Sequence, residues 1–275
     1  MNEHENQSQH ESHDELSRVV EPEIVKMSAT QRMFALLASP GELMRNVKAY
    51  PVILAPFLLA VVLGLLTIPV GLAITEISMV EMRHIFTERY PTAAMNPFDM
   101  DALAGEYGDL PAADIVGMTV IITSVIGAFA FPFIIGFFAT LGIFILSKIL
   151  RGPAKFGQTF SMYLHVYVLY ALGLLVAQAL MVATGSFVDV TSIAPLLMPQ
   201  GNISQPMYVA LMSISVFSIW YTVITFIGVK VINDFCNTKA AIITIITFAA
   251  WIGINAVLST FSWRTFDAMY AAGLL

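Results

Sequence analysis

The side chains of this 275-residue chain that could do chemistry sit in two settings. Inside long apolar runs stand Gln178, Asn255 and His165, with a row of hydroxyls at Ser213, Ser215, Ser218, Thr222 and Thr225. Amides and hydroxyls surrounded by hydrocarbon must find hydrogen-bond partners, so they either join helices or line a path for a solute. No Asp or Glu accompanies them in those runs, which argues against a proton-driven pump. His165 has no acidic neighbour in sequence and reads as a hydrogen-bonded histidine near the end of its run, not a proton relay. Outside the runs, Asp99-Met100-Asp101 suggests calcium, but the EF-hand pattern needs Asp or Asn and then Gly where Leu103 and Ala104 stand. His4, His10 and His13 lie among carboxylates in a polar N-terminal tail, and Asn202-Ile203-Ser204 is a short glycosylation-type match. The single cysteine, Cys236, excludes an intramolecular disulfide and a cysteine-based zinc site. There is no Gly-rich phosphate loop, HExxH, GxSxG or CxxC, so the sequence predicts no enzyme, no catalytic residue, no metal centre and no cofactor.

The elements that position these groups are set by hydropathy. The chain is 57% hydrophobic and 12% charged, against about 25% charged in a soluble domain. Windows without Asp, Glu, Lys or Arg run between Lys48 and Glu76, Asp114 and Lys148, Lys155 and Asp189, Asp189 and Lys230, and Lys239 and Arg264. Each exceeds the about 20 residues that cross a bilayer. Pro195, Pro199, Gly201 and Pro206 make the start of the fourth window a loop. The predicted fold is an all-α integral membrane protein, a bundle of five transmembrane helices near 51–75, 115–147, 160–184, 207–232 and 239–262. The second is too long for one perpendicular crossing and should tilt, kink at Pro132 or project into water. The domain plan is a disordered tail (1–28), an amphipathic segment (29–50), the five-span domain (51–263) with an acidic outer loop (76–114), and a short C-terminus (264–275).

Lys and Arg set the direction. Arg32, Arg45, Lys48, Lys148, Arg151, Lys155, Lys230 and Lys239 flank one side of the spans, whereas Arg83, Arg89 and Arg264 flank the other. The N-terminus is expected in the cytoplasm and the C-terminus outside. With a net charge of -6 and no basic stripe, nucleic acid is not an expected partner. Before the first span, Ser39-Pro40-Gly41-Glu42 reads as a helix start with a capping box from Ser39 to Glu42. Leu43, Met44 and Val47 share one face, Met33, Phe34, Leu36 and Leu37 add another apolar run upstream, and Tyr50 is placed as an interfacial aromatic. The segment is expected to lie in the membrane surface, apolar face down, or to cap other loops.

Hairpin geometry suggests pairings. Counting outward from the turn at Asp234–Cys236 sets Asn255 opposite Ser215 or Ser218, a bond of about 0.6–2 kcal/mol. Counting across the turn near Ala154 sets Gln178 opposite Pro132, where it could donate to the Ala128 carbonyl that proline leaves free. Lys230 and Asp234 are spaced for an ion pair. Gly136 with Thr140, Gly173 with Ala177, and Ala249 with Gly253 are spaced for close helix packing.

Three stretches carry a resemblance. LLASPGELMRNVKAYPVILAPFLLAVVLGLL (36–66) resembles the approach to the first span of the YIP domain, the family of Ypt/Rab-interacting proteins. KFGQTFSMYLHVYVLYALGLL (155–175) is similar to its basic turn and aromatic-rich third span. WYTVITFIGVKVINDFCNTKAAI (220–242) is similar to its fourth span, short polar turn and Lys-Ala start of the last span. The resemblance covers roughly 36–262 and implies five spans. Eukaryotic relatives act in membrane traffic by binding lipidated small GTPases and membrane proteins, and some bacterial relatives are thought to assist transport complexes. It implies a bacterial inner-membrane protein and carries no functional residue over. The expected function is a non-enzymatic scaffold or accessory protein, in contact with the lipid bilayer, that binds membrane-protein partners or organises the bilayer. The alternative is a transporter or channel component whose polar path would use Gln178, Asn255 and the hydroxyl row.

Overall fold

A computed structural model describes residues 24–92, 112–185, 189–197 and 206–272. The tail histidines, the Asp99-Met100-Asp101 segment and the Asn202 sequence lie outside the described residues. Among those described, the chain is helical and contains no strand: α1 (Ala29–Ala38), α2 (Pro40–Ala49), α3 (Leu54–Arg89), α4 (Ala112–Ile149), α5 (Phe156–Thr184), α6 (Ala194–Leu197), α7 (Pro206–Met212), α8 (Val216–Ile232) and α9 (Asn237–Ala271). Four helices, α3, α4, α5 and α9, are long and apolar enough to cross a membrane, and α8 is a shorter apolar fifth. The all-α membrane bundle expected from hydropathy is therefore present.

Several boundaries differ from the sequence reading. The helix of the first span continues through Glu76 to Arg89, so the first part of the expected outer loop is helical. Charge ends contact with lipid but does not break a helix, and no proline follows Pro69 until Pro91. At about 1.5 Å per residue the 36 residues of α3 reach about 54 Å, well beyond a hydrocarbon core of about 30 Å. Likewise α9 runs to Ala271 through the segment expected as a short C-terminus. The fourth span is broken. α7 ends at Met212, and α8 starts after Ser215, whose side chain accepts from the Ser218 N–H in a capping box. The break is held by a two-bond antiparallel bridge, Ile193 N–H to the Ile214 carbonyl (3.0 Å) and Val216 N–H to the Thr191 carbonyl (3.1 Å). The 17 residues of α8 span about 25 Å.

α5 is the organising helix. It packs against α3, α4, α8 and α2, while α9 packs on α8, α7 and α4. Its buried residues include Phe160, Met162, Tyr163, Leu164, Val166, Val168 and Leu169. Met162, Tyr163, Val166, Val168 and Leu169 join Leu43, Met44, Val47, Ile143, Ile224, Val229 and Ile243 in one apolar cluster. A second, smaller cluster forms where α3 and α9 leave the apolar zone, around Phe86, Tyr90 and Tyr270.

Candidate functional site

The N-terminal helices form a collar fastened to the basic end of the bundle. α1 begins with a reciprocal cap: Ser28 Oγ accepts from the Gln31 N–H, and Gln31 Oε1 accepts from the Ser28 N–H. The capping box expected at Ser39 is absent. Ser39 also closes α1, its N–H donating to the Ala35 carbonyl, and this double duty holds it at φ -147°, ψ 64°, away from the extended conformation that lets a cap side chain reach forward.

The apolar face of α2 does not meet lipid. Leu43, Met44 and Val47 are each 0% exposed, packed in the protein core against α5 and α8. Of the residues expected at the membrane surface, Tyr50 alone faces outward, at 39% exposure. The sequence spacing identified the apolar face correctly but not the surface covering it. The outward apolar residues belong to α1: Phe34 is 72% and Leu37 is 53% exposed.

Polar side chains lock this collar. Asn46 Nδ2 donates to the Val25 carbonyl (2.7 Å) and Asn46 Oδ1 accepts from the Met27 N–H (3.3 Å). Arg32 Nη2 donates to the Tyr50 carbonyl (2.8 Å), with a longer Nε contact to the Met27 carbonyl. From α5, Gln158 Nε2 donates to the Lys48 carbonyl (2.7 Å), and Ser161 Oγ exchanges bonds with the backbone N–H and carbonyl of Val52. Arg32 is 2% exposed, and burial lowers its pKa from the usual value. His165, one turn beyond Ser161, is completely buried. Its Nδ1 lies 2.7 Å from the Ser161 carbonyl, which can only accept, so Nδ1 carries the proton. Arg32 Nη1 and His165 Nε2 have no hydrogen-bond partner among the described residues. The imidazole, expected near the interface, is instead buried and bonds a backbone carbonyl, with no carboxylate among its described partners.

Lys48 bonds Asp234 at 2.5 Å. The expected Lys230–Asp234 pair does not form, because α8 ends at Ile232 and Asp234 takes a left-handed conformation, φ 52°, that turns it out of the helix. Lys148 and Lys239 donate to the carbonyls of Gly152 and Leu150, so the basic residues at this end close the turn between α4 and α5. At the N-terminus of α9 the fully exposed Cys236 thiol is drawn below its usual pKa, first by the Lys239 backbone amide.

Within the bundle, a cavity of about 220 Å³ opens between α3, α4 and α5. Gly64, Ala128, Pro132, Tyr167, Tyr170 and Gln178 are among its lining residues. Gln178 therefore comes to the Pro132 turn, as the hairpin count expected. The predicted bond to Ala128 is not made, and Gln178 Oε1 is buried without a partner among the described residues. The loop between α4 and α5 left the register loose by more than a hydrogen bond tolerates.

The other expected pairing fails outright. Asn255 Nδ2 donates to the Trp251 carbonyl of its own helix (2.8 Å). Ser215 and Ser218 are occupied in the α8 cap. Ser213, Thr222 and Thr225 likewise bond carbonyls four residues back. Ser, Thr and Asn side chains in a helix can bond the carbonyl one turn back without reaching another helix, so the hydroxyl row does not form a continuous polar lining.

At the opposite end, Arg89 Nε and Nη2 meet the Asp267 carboxylate at 3.1 and 2.9 Å, and the Tyr90 hydroxyl donates to the same group at 2.8 Å. The hydrogen bond to Asp267 raises the Arg89 pKa. Tyr90 stacks obliquely between Phe86 and Tyr270. This clasp joins residues 178 positions apart in sequence, and no local pattern marks it.

No curated protein and no solved structure matches the chain significantly. A family model does match, the Yip1 domain, over residues 34–259, a stretch that includes α2 to α5, the broken α7–α8 pair and the greater part of α9. With the bundle and its collar in place, the resemblance noted in the three quoted stretches becomes membership: the chain belongs to the Yip1 domain family, a family of non-enzymatic membrane proteins.

Proposed function

We propose that this protein is an integral membrane scaffold that binds other membrane proteins through its basic end, with that end and the N-terminus in the cytoplasm of a bacterial inner membrane. The observation that carries the reading is the collar. Arg32 and Asn46 tie α1 and the chain before it to α2 and its C-terminal end, and Gln158 and Ser161 of α5 fasten α2 and the following Val52 to the bundle. Ordering residues in this way costs conformational entropy, and the result is a rigid platform beside the bilayer with exposed Arg45, Arg151, Lys155 and Lys230 around it. Asn255 and the hydroxyl row, expected to line a solute path with Gln178, bond within their own helices or the α8 cap instead, which supports a scaffold over a transporter.

Crosslinking in native membranes, followed by identification of the captured proteins, tests the reading. A reproducible set of membrane proteins captured through residues of α1, α2 or the α4–α5 turn is the expected result. Capture of none, together with unchanged membrane organisation when the chain is deleted, overturns it.

A further inference from the structure

The collar leaves one apolar surface uncovered, and its position says what covers it. On α1, Arg32, Ala35 and Leu36 face the protein, whereas Phe34 and Leu37 point outward. Ile24 and Val25, just before the helix, are 42% and 79% exposed. Arg32 reaches the Tyr50 carbonyl, so α1 lies within one arginine side chain of Tyr50. The first span starts four residues later, at Leu54. There the outward residues Ile53, Leu54 and Leu58 are apolar and continue along the span. The polar zone of a bilayer is only about 5–8 Å deep on each side. A helix held this close to the start of a span is therefore held at headgroup depth. Charge agrees with that depth: Lys26, Arg45, Arg151 and Lys155 are exposed at this end, and Glu42 is the only exposed carboxylate on α1 or α2.

We infer that α1 is a membrane-surface helix, with Phe34 and Leu37 inserted among the lipids of the adjoining leaflet and the surrounding Lys and Arg residues meeting anionic headgroups. The membrane contact falls on α1, and α2 is the strut that joins it to the bundle. Two buried bonds set the geometry: Arg32 fixes how far α1 can rise from the bilayer, and Asn46 ties down the chain leading into it. The helix thus widens the footprint of the protein in one leaflet only, which is the asymmetry a bilayer-organising protein needs.

The full-length protein, with Cys236→Ser, is reconstituted into vesicles of phosphatidylcholine and phosphatidylglycerol. Nitroxide labels are placed singly at Phe34→Cys, Leu37→Cys and, as a reference on α2, Arg45→Cys. Collision rates with oxygen, which concentrates in hydrocarbon, are compared with those for a water-soluble nickel chelate. The oxygen-to-nickel ratio should exceed unity at 34 and 37 and fall below unity at 45. Replacing Arg32 by Ala should lower the ratio at 34 and 37 while leaving a label at Leu58→Cys unchanged. Free access of the nickel reagent to 34 and 37 overturns the inference and leaves that face to water or a protein. Partner capture by crosslinking is read independently of these ratios, so either conclusion can fail alone.

Discussion

Gly173 offers the sharpest test of how α5 and α8 meet. A Cβ added there would lie 2.6 Å from Phe217 Cβ, 2.7 Å from Cγ and 3.1 Å from Cδ1. Non-bonded carbons prefer about 3.5–4.0 Å, so Gly173→Ala requires the helices to separate by about 1 Å. Rotating the Phe217 ring gives no relief, because the nearest atom is its Cβ. Overpacking of this kind costs about 1–3 kcal/mol, and alanine returns at most about 1 kcal/mol of helix propensity. Because the 2.6 Å contact is with a Cβ that cannot rotate away, the cost falls in the upper part of that range and the expected net loss is about 1–2 kcal/mol, measured by reversible unfolding in mixed micelles followed by far-ultraviolet circular dichroism. The cost should persist in a Phe217→Ala background, where the offending Cβ remains, and vanish only with Phe217→Gly. Gly142→Ala and Gly253→Ala, with nothing within 4 Å of the new methyl, serve as controls and should be neutral or mildly stabilising. A Gly173→Ala protein within about 0.5 kcal/mol of wild type, the usual range for an uncrowded site, or one rescued by Phe217→Ala, would refute the packing described.

Gly152→Ala should lose about 1–2 kcal/mol in the same assay, since its methyl would press on the Asn233 side chain and, at 2.8 Å, on Phe235 Cζ. Asn255→Leu should change stability by less than about 0.5 kcal/mol, because the amide bonds only the Trp251 carbonyl of its own helix; a loss above about 1 kcal/mol would indicate a partner on another helix. Asp267→Asn should cost less than about 1 kcal/mol, the Arg89–Asp267 pair being partly exposed at both ends, and unfolding measured against added salt should become less salt-sensitive than in the wild type.

Much of the molecule was decided by the sequence alone. Hydropathy is a local property, and a charge-free run long enough to cross lipid has few choices but helix, because hydrocarbon offers the backbone no other hydrogen-bond partners. That is why the long apolar helices and the apolar face of α2 could be read directly. Tertiary structure decided what each face meets. Leu43, Met44 and Val47 carry the pattern of a lipid-facing helix and lie instead under α5 and α8, while Phe34 and Leu37, a turn of chain earlier, stay outside. Gly173 and Gly253 look alike in sequence, yet a methyl added at the first would press on Phe217 and one added at the second would meet nothing within 4 Å. Asn255 was expected to cross to a neighbouring helix and bonds its own. These differences share one cause: periodicity along a helix tells which side chains act together, whereas the rotation and depth of that helix against its neighbours are settled only when all of them pack at once.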